Sequence, residues 1–385
     1  MKKIRIALIP GDGSGPEMMA QAAKVARKAA LMDDIEIEFI ETPMGWNAYD
    51  KFGDTLPPES LKKAKEIGLI FFGGVGDFKH DSTIGMERPD LKPEVKVLLA
   101  LRKDLELLIN FRPITYFKSL SHLAGVKPES IPEAGVTQIW VRFLLEDSYY
   151  GNQDLMGQIP DDIKKKFGIK LKKDVTGKEA MISDIAYYKK ETLEKYFRFV
   201  FKYAKELNLP LIAIDKSNVM ARYDYWRKIC SEIGKKEFSD VKLVYQLVDS
   251  ANALLFTPAK LQGVIACGNE HGDILSDGAA VAAGSMGMMC SSAINPDTGA
   301  AMFESGAGTA PTIAGQDKAN PLGRILTAAL MLRHIGAKKG AEAIEKAVNG
   351  ILNDGFRTED LLTKSDDRKK LLGTAGMGEA VLNRL

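Results

Sequence analysis

The chain has 385 residues, 45% of them hydrophobic and 27% charged, with a formal net charge of +2. That length supports a large core and more than one layer-built domain. The near-neutral balance excludes the concentrated Lys and Arg of a generic nucleic-acid surface, and no run of 18 apolar residues suggests a membrane span.

Ile4 to Ile9 reads as a strand closed by Pro10-Gly11-Asp12-Gly13-Ser14-Gly15-Pro16. An Ala-rich helix is expected from Glu17 to Leu31, then a strand from Ile35 to Ile40. A helix over Ser60 to Glu66 and a strand from Leu69 to Phe72, ending at Gly73-Gly74-Val75-Gly76, complete a βαβαβ rhythm. Such a rhythm implies a parallel sheet covered by helices. Arg102 ends an apolar helical run, Arg112 is expected just after a strand Leu107 to Phe111, and Arg142 ends a strand Thr137 to Val141. Further helices are expected over Lys190 to Leu207, Pro321 to His334, Lys339 to Leu352 and Met377 to Leu385, with a strand at Pro210 to Ile214. The charged stretch Asn152 to Ser183 lacks apolar periodicity and reads as a protruding arm.

The first glycine loop is not GxGxxG, because Pro16 stands where the last glycine belongs, so a tight strand-to-helix turn is favoured over a phosphate cradle. Three scattered cysteines without CxxC spacing suggest reduced, buried thiols, consistent with cytoplasm. The N-terminus lacks the apolar core of a signal peptide.

The chemical signal is charge at particular spacings. Asp273 and Asp277 stand at i and i+4, one face of a helix. Paired carboxylates suit a hard cation such as Mg²⁺ or Mn²⁺, although two aspartates on a helix are by default a solvated face. Gly, Ala and apolar neighbours argue against full exposure here. Arginines at strand ends converge on a crevice in α/β sheets and pair bidentately with carboxylates, but each alone also suits a structural salt bridge. Lys216 beside Asp215, and Tyr149 at a turn, are candidate proton-transfer groups.

Several ordered segments together resemble the isocitrate/3-isopropylmalate dehydrogenase family of metal-dependent β-decarboxylating dehydrogenases. They are IPGDGSGPE at Ile9 to Glu17, LRKDLELLINFRP at Leu101 to Pro113, VRFLLEDSYYG at Val141 to Gly151, DKSNV at Asp215 to Val219, GDILSD at Gly272 to Asp277, GSMGM at Gly284 to Met288 and APTIAGQDKANP at Ala310 to Pro321. The resemblance implies an α/β fold of two domains sharing a large mixed sheet, not a Rossmann fold. Residues 1–107 plus 284–385 would form the cofactor side and 108–283 the substrate, metal and dimerisation side, with an arm at 152–183.

It further implies that Arg102, Arg112 and Arg142 clamp substrate carboxylates and that Asp249, Asp273 and Asp277 hold Mg²⁺ or Mn²⁺. Lys216 would assist loss of the hydroxyl proton and Tyr149 would protonate the enol. A homodimer with composite active sites follows, since Lys216 and Asp249 would come from the neighbouring subunit. Asn218, Glu304, Gly308, Thr309, Ala310, Thr312, Ile313 and Asn320 would contact NAD, with NADP the alternative.

The chain departs from the family pattern at Ala307, where His is usual, at Phe143, where an acidic residue is common, and at Thr312, where NAD-dependent members carry Asp. Ile313 and the run Arg357 to Leu361 look more like NAD-dependent members. Apolar Leu98 and Leu99 point to 3-isopropylmalate, because a site without polar partners penalises a buried carboxylate. Isocitrate, homoisocitrate and D-malate or tartrate remain alternatives, with Lys96 a possible γ-carboxylate partner. A non-catalytic regulatory subunit is the alternative of another class.

Overall fold

The computed structural model describes residues 1–150, 186–364 and 366–385. The expected arm at 152–183 lies outside them. Their strands form one 10-stranded sheet in the order β2-β1-β3-β10-β9-β4-β5-β8-β6-β7. These are β1 Lys2–Ile9, β2 Ile35–Glu41, β3 Leu69–Phe72, β4 Ile109–Tyr116, β5 Val136–Phe143, β6 Leu211–Asp215, β7 Leu243–Leu247, β8 Val264–Cys267, β9 Cys290–Ile294 and β10 Ala301–Ser305. β2, β1, β3 and β10 pair in parallel, as do β5, β8, β6 and β7. Antiparallel β9 and β4 weld the two halves. The sheet is therefore mixed, as the family resemblance implies, while the parallel βαβαβ reading holds for its first strands.

Each half buries its own layers. Helices Gly15–Ala30, Leu322–His334 and Lys338–Asn353 cover one face of β1, β3 and β10 with Ala and aliphatic side chains, while Met44, Ala64, Val97 and Leu101 close the other. In the second half, helices Lys190–Glu206 and Ala221–Glu237 bring Tyr196, Phe197, Phe201 and Trp226 against β5, β8 and β6. Helices Val248–Leu254 and Asn269–Ala282 cover the opposite face. Fully burying one such apolar side chain stabilises the fold by roughly 1.5–3 kcal/mol.

Several expected boundaries move, and Arg142 lies inside β5 rather than just after it. Arg112 lies inside β4, which runs through Pro113 to Tyr116. A proline usually ends a strand because it donates no ladder hydrogen bond, but β9 pairs with β4 only up to Phe111. From there β4 is paired by β5 alone, and the proline is tolerated. The last helix is Thr374–Leu382, starting three residues earlier than expected, directly after Gly373.

The register brings the two halves' chemistry together. Glu304 lies opposite Ser291 of β9, and two residues further on Ala293 lies opposite Asn110 of β4. Asn110 in turn pairs with Arg142. Residues two apart on a strand share a face, so Glu304, Ser291, Asn110, Arg112 and Arg142 form one polar lane across the sheet. It links the carboxyl end of β10 to that of β5.

Candidate active site

Arg102, Arg112 and Arg142 each meet a carboxylate. Arg102, on the short helix Ala100–Asp104, donates from Nη2 to Glu304 Oε1 at 2.7 Å, with both side chains buried. Arg112 reaches Asp273 and Asp277, each at 2.9 Å. It also donates from Nε to Asn110 Oδ1 at 3.0 Å and from Nη1 to Ser276 Oγ at 2.8 Å. Arg142 pairs with Asp273 in a very short contact. Its Nε donates to Asn269 Oδ1 at 2.8 Å, and its guanidinium lies 5.1 Å from the centre of the Tyr149 ring.

Asp273 and Asp277 share one face of helix Asn269–Ala282, as their spacing predicts. Their charges are set by different surroundings. Burial pushes Asp273 up, but the Arg142 and Arg112 guanidiniums outweigh it and hold the carboxyl below its usual value. For Asp277 burial wins; Arg112 opposes it, the charge of Asp273 reinforces it, and the carboxyl is raised. Arg142 is pushed down to about 9 by burial and by neighbouring Arg112, against the pull of Asp273. Tyr149 donates its hydroxyl to Asp273 Oδ2 at 2.9 Å, and burial together with that carboxylate raises its pKa to about 12.

Lys216 and Asp249 are brought together elsewhere. Lys216 follows β6, Asp249 opens helix Val248–Leu254 after β7, and the two side chains form a short ion pair. Asp249 is thus on a separate element from Asp273 and Asp277, and among the described residues no group of three His, Cys, Asp or Glu side chains is placed to hold a metal. Asn218 is exposed in the turn after β6.

The leucine pair separates. Leu98 packs against the core under β1 and β3, whereas Leu99 lines a cavity of about 720 Å³ together with Val95, Lys96, Leu145 and Tyr149. Both leucines lie in the π-helical turn Glu94–Leu99, where consecutive residues point in different directions, as on any helix. Lys96 is engaged by Asp54 at 2.6 Å.

The remaining expected cofactor residues lie on and after β10. Glu304 is buried within it, Gly308 is exposed, and Thr312 and Ile313 lie in the single turn Pro311–Ile313. The Thr309 carbonyl accepts from Ser14 N at 2.7 Å and from Ser14 Oγ at 2.9 Å. This contact requires Gly13, because a Cβ there would lie 2.3 Å from the same carbonyl oxygen. Ala310 takes a left-handed conformation with φ of 39°, which a non-glycine residue adopts at a cost. Asn320 is largely committed inside the protein. Its Oδ1 accepts from Leu322 N at 2.9 Å and its Nδ2 donates to Asp360 at 3.0 Å.

Sequence reasoning missed Asn110 and Asn269. Both are fully buried and both orient arginines. The available signals were Asn110 two residues before Arg112 on a strand and Asn269 four before Asp273 on a helix.

A family model described as isocitrate/isopropylmalate dehydrogenase matches residues 5–381. A 3-isopropylmalate dehydrogenase of Cupriavidus metallidurans is 38% identical over 383 residues, covering 99% of this chain and 100% of that one. Its counterpart in Burkholderia multivorans is 37% identical over the same span and coverage. Among solved structures, an isocitrate dehydrogenase from Methylococcus capsulatus is similar with a TM-score of 0.77 at 28% identity, covering 99% of both chains. A beta-decarboxylating dehydrogenase from Thermococcus kodakarensis follows with a TM-score of 0.73 at 26% identity, covering 99% of this chain and 96% of that one.

Proposed function

Because the chain belongs to the isocitrate/isopropylmalate dehydrogenase family, we propose that it oxidises and decarboxylates a 2-hydroxy polycarboxylic acid, with 3-isopropylmalate as substrate, NAD as hydride acceptor and Mg²⁺ or Mn²⁺ as activating ion. The observation that carries this reading is the convergence of Arg112 and Arg142 on Asp273 and Asp277, with Tyr149 on the same carboxylate.

The donor set fits a hard divalent cation, because both aspartates offer carboxylate oxygens and Asp277 keeps 48% of its side chain exposed. The dinucleotide region fits too, with Gly308 leaving open space at the surface. A divalent ion held by Asp273 and Asp277 would supply Lewis acidity toward the substrate's oxygens, and a dinucleotide at the turns after β10 would supply the hydride acceptor.

The protein's own groups do the rest. Arg112 and Arg142 exchange Asp273 and Asp277 for substrate carboxylates, and Arg102 reaches a third contact from its pair with Glu304. Bidentate pairing fixes the acid's orientation. Asn110 and Asn269 keep the guanidinium planes aimed while their partners change. Lys216 takes the hydroxyl proton as the C2–H bond breaks. Loss of CO₂ leaves an enolate whose carbon is protonated by Tyr149, whose hydroxyl burial and the Asp273 carboxylate keep in the protonated form.

Lys216 and Asp249 act across a homodimer interface in this reading. The exposed apolar side chains of Val219, Phe256, Ile274 and Val281 support it. Leu99 and Val95 in the cavity wall, with Lys96 tied to Asp54, favour an apolar substituent over a third carboxylate. Lys96 lining that same cavity is the observation that favours isocitrate as second reading. The test is kcat/KM for 3-isopropylmalate, isocitrate, homoisocitrate and D-malate with Mn²⁺ and either dinucleotide. A preference for isocitrate, or a tenfold NADP preference, overturns the corresponding choice.

A further inference from the structure

Arg324 is a fully buried cation that has no carboxylate partner among the described residues. It sits in the first turn of helix Leu322–His334, where no acidic residue stands. The positive end of a helix dipole disfavours a cation there. Its guanidinium donates only to main-chain carbonyls. Nη2 reaches Gly73 O at 2.5 Å and Ala307 O at 3.2 Å, while Nη1 reaches Phe72 O and Ser305 O, each at 3.4 Å. Nε has no hydrogen-bond partner. Glu304, the acid whose charge acts on it, is already held by Arg102 at 2.7 Å. Asp12, also close to these turns, accepts from the backbone N–H groups of Trp46, Asn47 and Gly76 instead.

The carbonyls that Arg324 gathers belong to two turns at the carboxyl ends of β3 and β10. A third turn, after β1, joins them through Asp12 N to Gly74 O at 3.0 Å and Ser14 N to Thr309 O at 2.7 Å. Gly74 closes over the guanidinium in a left-handed conformation, and a Cβ there would lie 3.1 Å from Arg324 Nη2. Carboxyl ends of parallel strands are where α/β sheets take ligands. An isolated buried charge costs several kcal/mol unless it is compensated, and carbonyl dipoles compensate only part of it.

We propose that Arg324 is a positioning residue of the dinucleotide site: its guanidinium ties the 73–74 and 305–307 turns together and supplies, from beneath them, the counter-charge for an anionic pyrophosphate bound above. This rests on the dinucleotide use proposed above. The anion completes the neutralisation of a charge that the folded protein leaves unpaired. Arg324 touches neither substrate nor cofactor and acts through the turns and its field.

The test is binding in the absence of hydroxy acid and metal, measured by calorimetry and ligand-observed NMR for wild type, Arg324→Met and Arg324→Lys. The ligands are NAD⁺, ADP-ribose, which carries the pyrophosphate, and adenosine, which does not. Arg324→Met should bind ADP-ribose and NAD⁺ at least about tenfold more weakly, a 1.4 kcal/mol effect, with adenosine affinity unchanged. Arg324→Lys, which keeps the charge, should bind ADP-ribose closer to wild type than Arg324→Met does. Equal weakening of adenosine and ADP-ribose would reduce Arg324 to a structural brace and overturn the proposal, as would no change in either. If Arg324→Met does not fold, ADP-ribose binding by folded Arg324→Lys decides: loss of all detectable binding overturns it, retention supports it. Wild-type protein that binds no dinucleotide would instead remove the functional reading itself.

Discussion

Asn269→Ala should damage the site more than any surface substitution. Asn269 Oδ1 accepts from Arg142 Nε at 2.8 Å and from Nη2 at 2.5 Å, while Nδ2 donates to Leu144 O at 2.7 Å and Glu146 O at 2.9 Å. Truncation removes four hydrogen bonds around a guanidinium that is itself almost fully buried. A hydrogen bond to a charged group contributes about 1.5–3 kcal/mol, and a buried group left unpaired costs about 1–3 kcal/mol. Since Arg142 keeps Asp273 and the freed carbonyls relax, the combined loss should be about 3–5 kcal/mol. Urea unfolding should show it as a lower midpoint with an unchanged slope. In turnover assays kcat/KM for the hydroxy acid should fall about 100-fold, the scale of an ångström-sized misplacement. Asn269→Asp keeps the acceptor and should retain more activity than Asn269→Ala. A folded Asn269→Ala protein with wild-type midpoint and wild-type kcat/KM would refute the claim that Asn269 aims Arg142.

Other outcomes follow from the same geometry. Cys230, Cys267 and Cys290 are buried, and burial pushes each thiol up to about 12; a disulfide reagent at pH 8 should therefore label the native protein slowly and all three thiols once urea unfolds it. Tyr196 bridges β5 and β8 by donating to Val141 O at 2.5 Å and accepting from Cys267 N at 3.0 Å; Tyr196→Phe should cost about 1–3 kcal/mol in urea unfolding with little change in KM. Tyr149→Phe and Lys216→Met should each be inactive as pure proteins. Mixed and refolded together they should recover activity, because one site of a hybrid dimer then holds both native residues; no recovery in verified hybrids would refute the composite site.

Much of this was legible in the sequence because local chemistry agreed with the fold. Apolar Ile4 to Ile9 before a glycine turn became β1, and the Ala-rich stretch after Pro16 became helix Gly15–Ala30. The i, i+4 spacing of Asp273 and Asp277 put them on one face, as their helix shows. What stayed hidden depends on contacts far apart in the chain. The strand expected at Leu107 to Phe111 runs on through Pro113, which the missing pairing on the β9 side tolerates, and Arg112 moves to its interior. Leu98 and Leu99 read as one pair in the sequence, yet as consecutive helical residues they diverge, one to the core and the other to the cavity. Arg324 reads as an ordinary solvated helix residue. Only the packing of that helix under β3 and β10 reveals a buried charge. Asn269 has only its place four residues before Asp273 to mark it, and its partner Arg142 lies 127 residues away.

The central claim is oxidative decarboxylation at the Arg112–Arg142–Asp273–Asp277 site, and its most direct test is the product ratio. Purified protein given 3-isopropylmalate, Mn²⁺ and NAD⁺ should release one CO₂ for each NADH formed, and removing Mn²⁺ with a chelator should stop both. Turnover that survives chelation, NADH without CO₂, or no product from folded dimer would contradict the account.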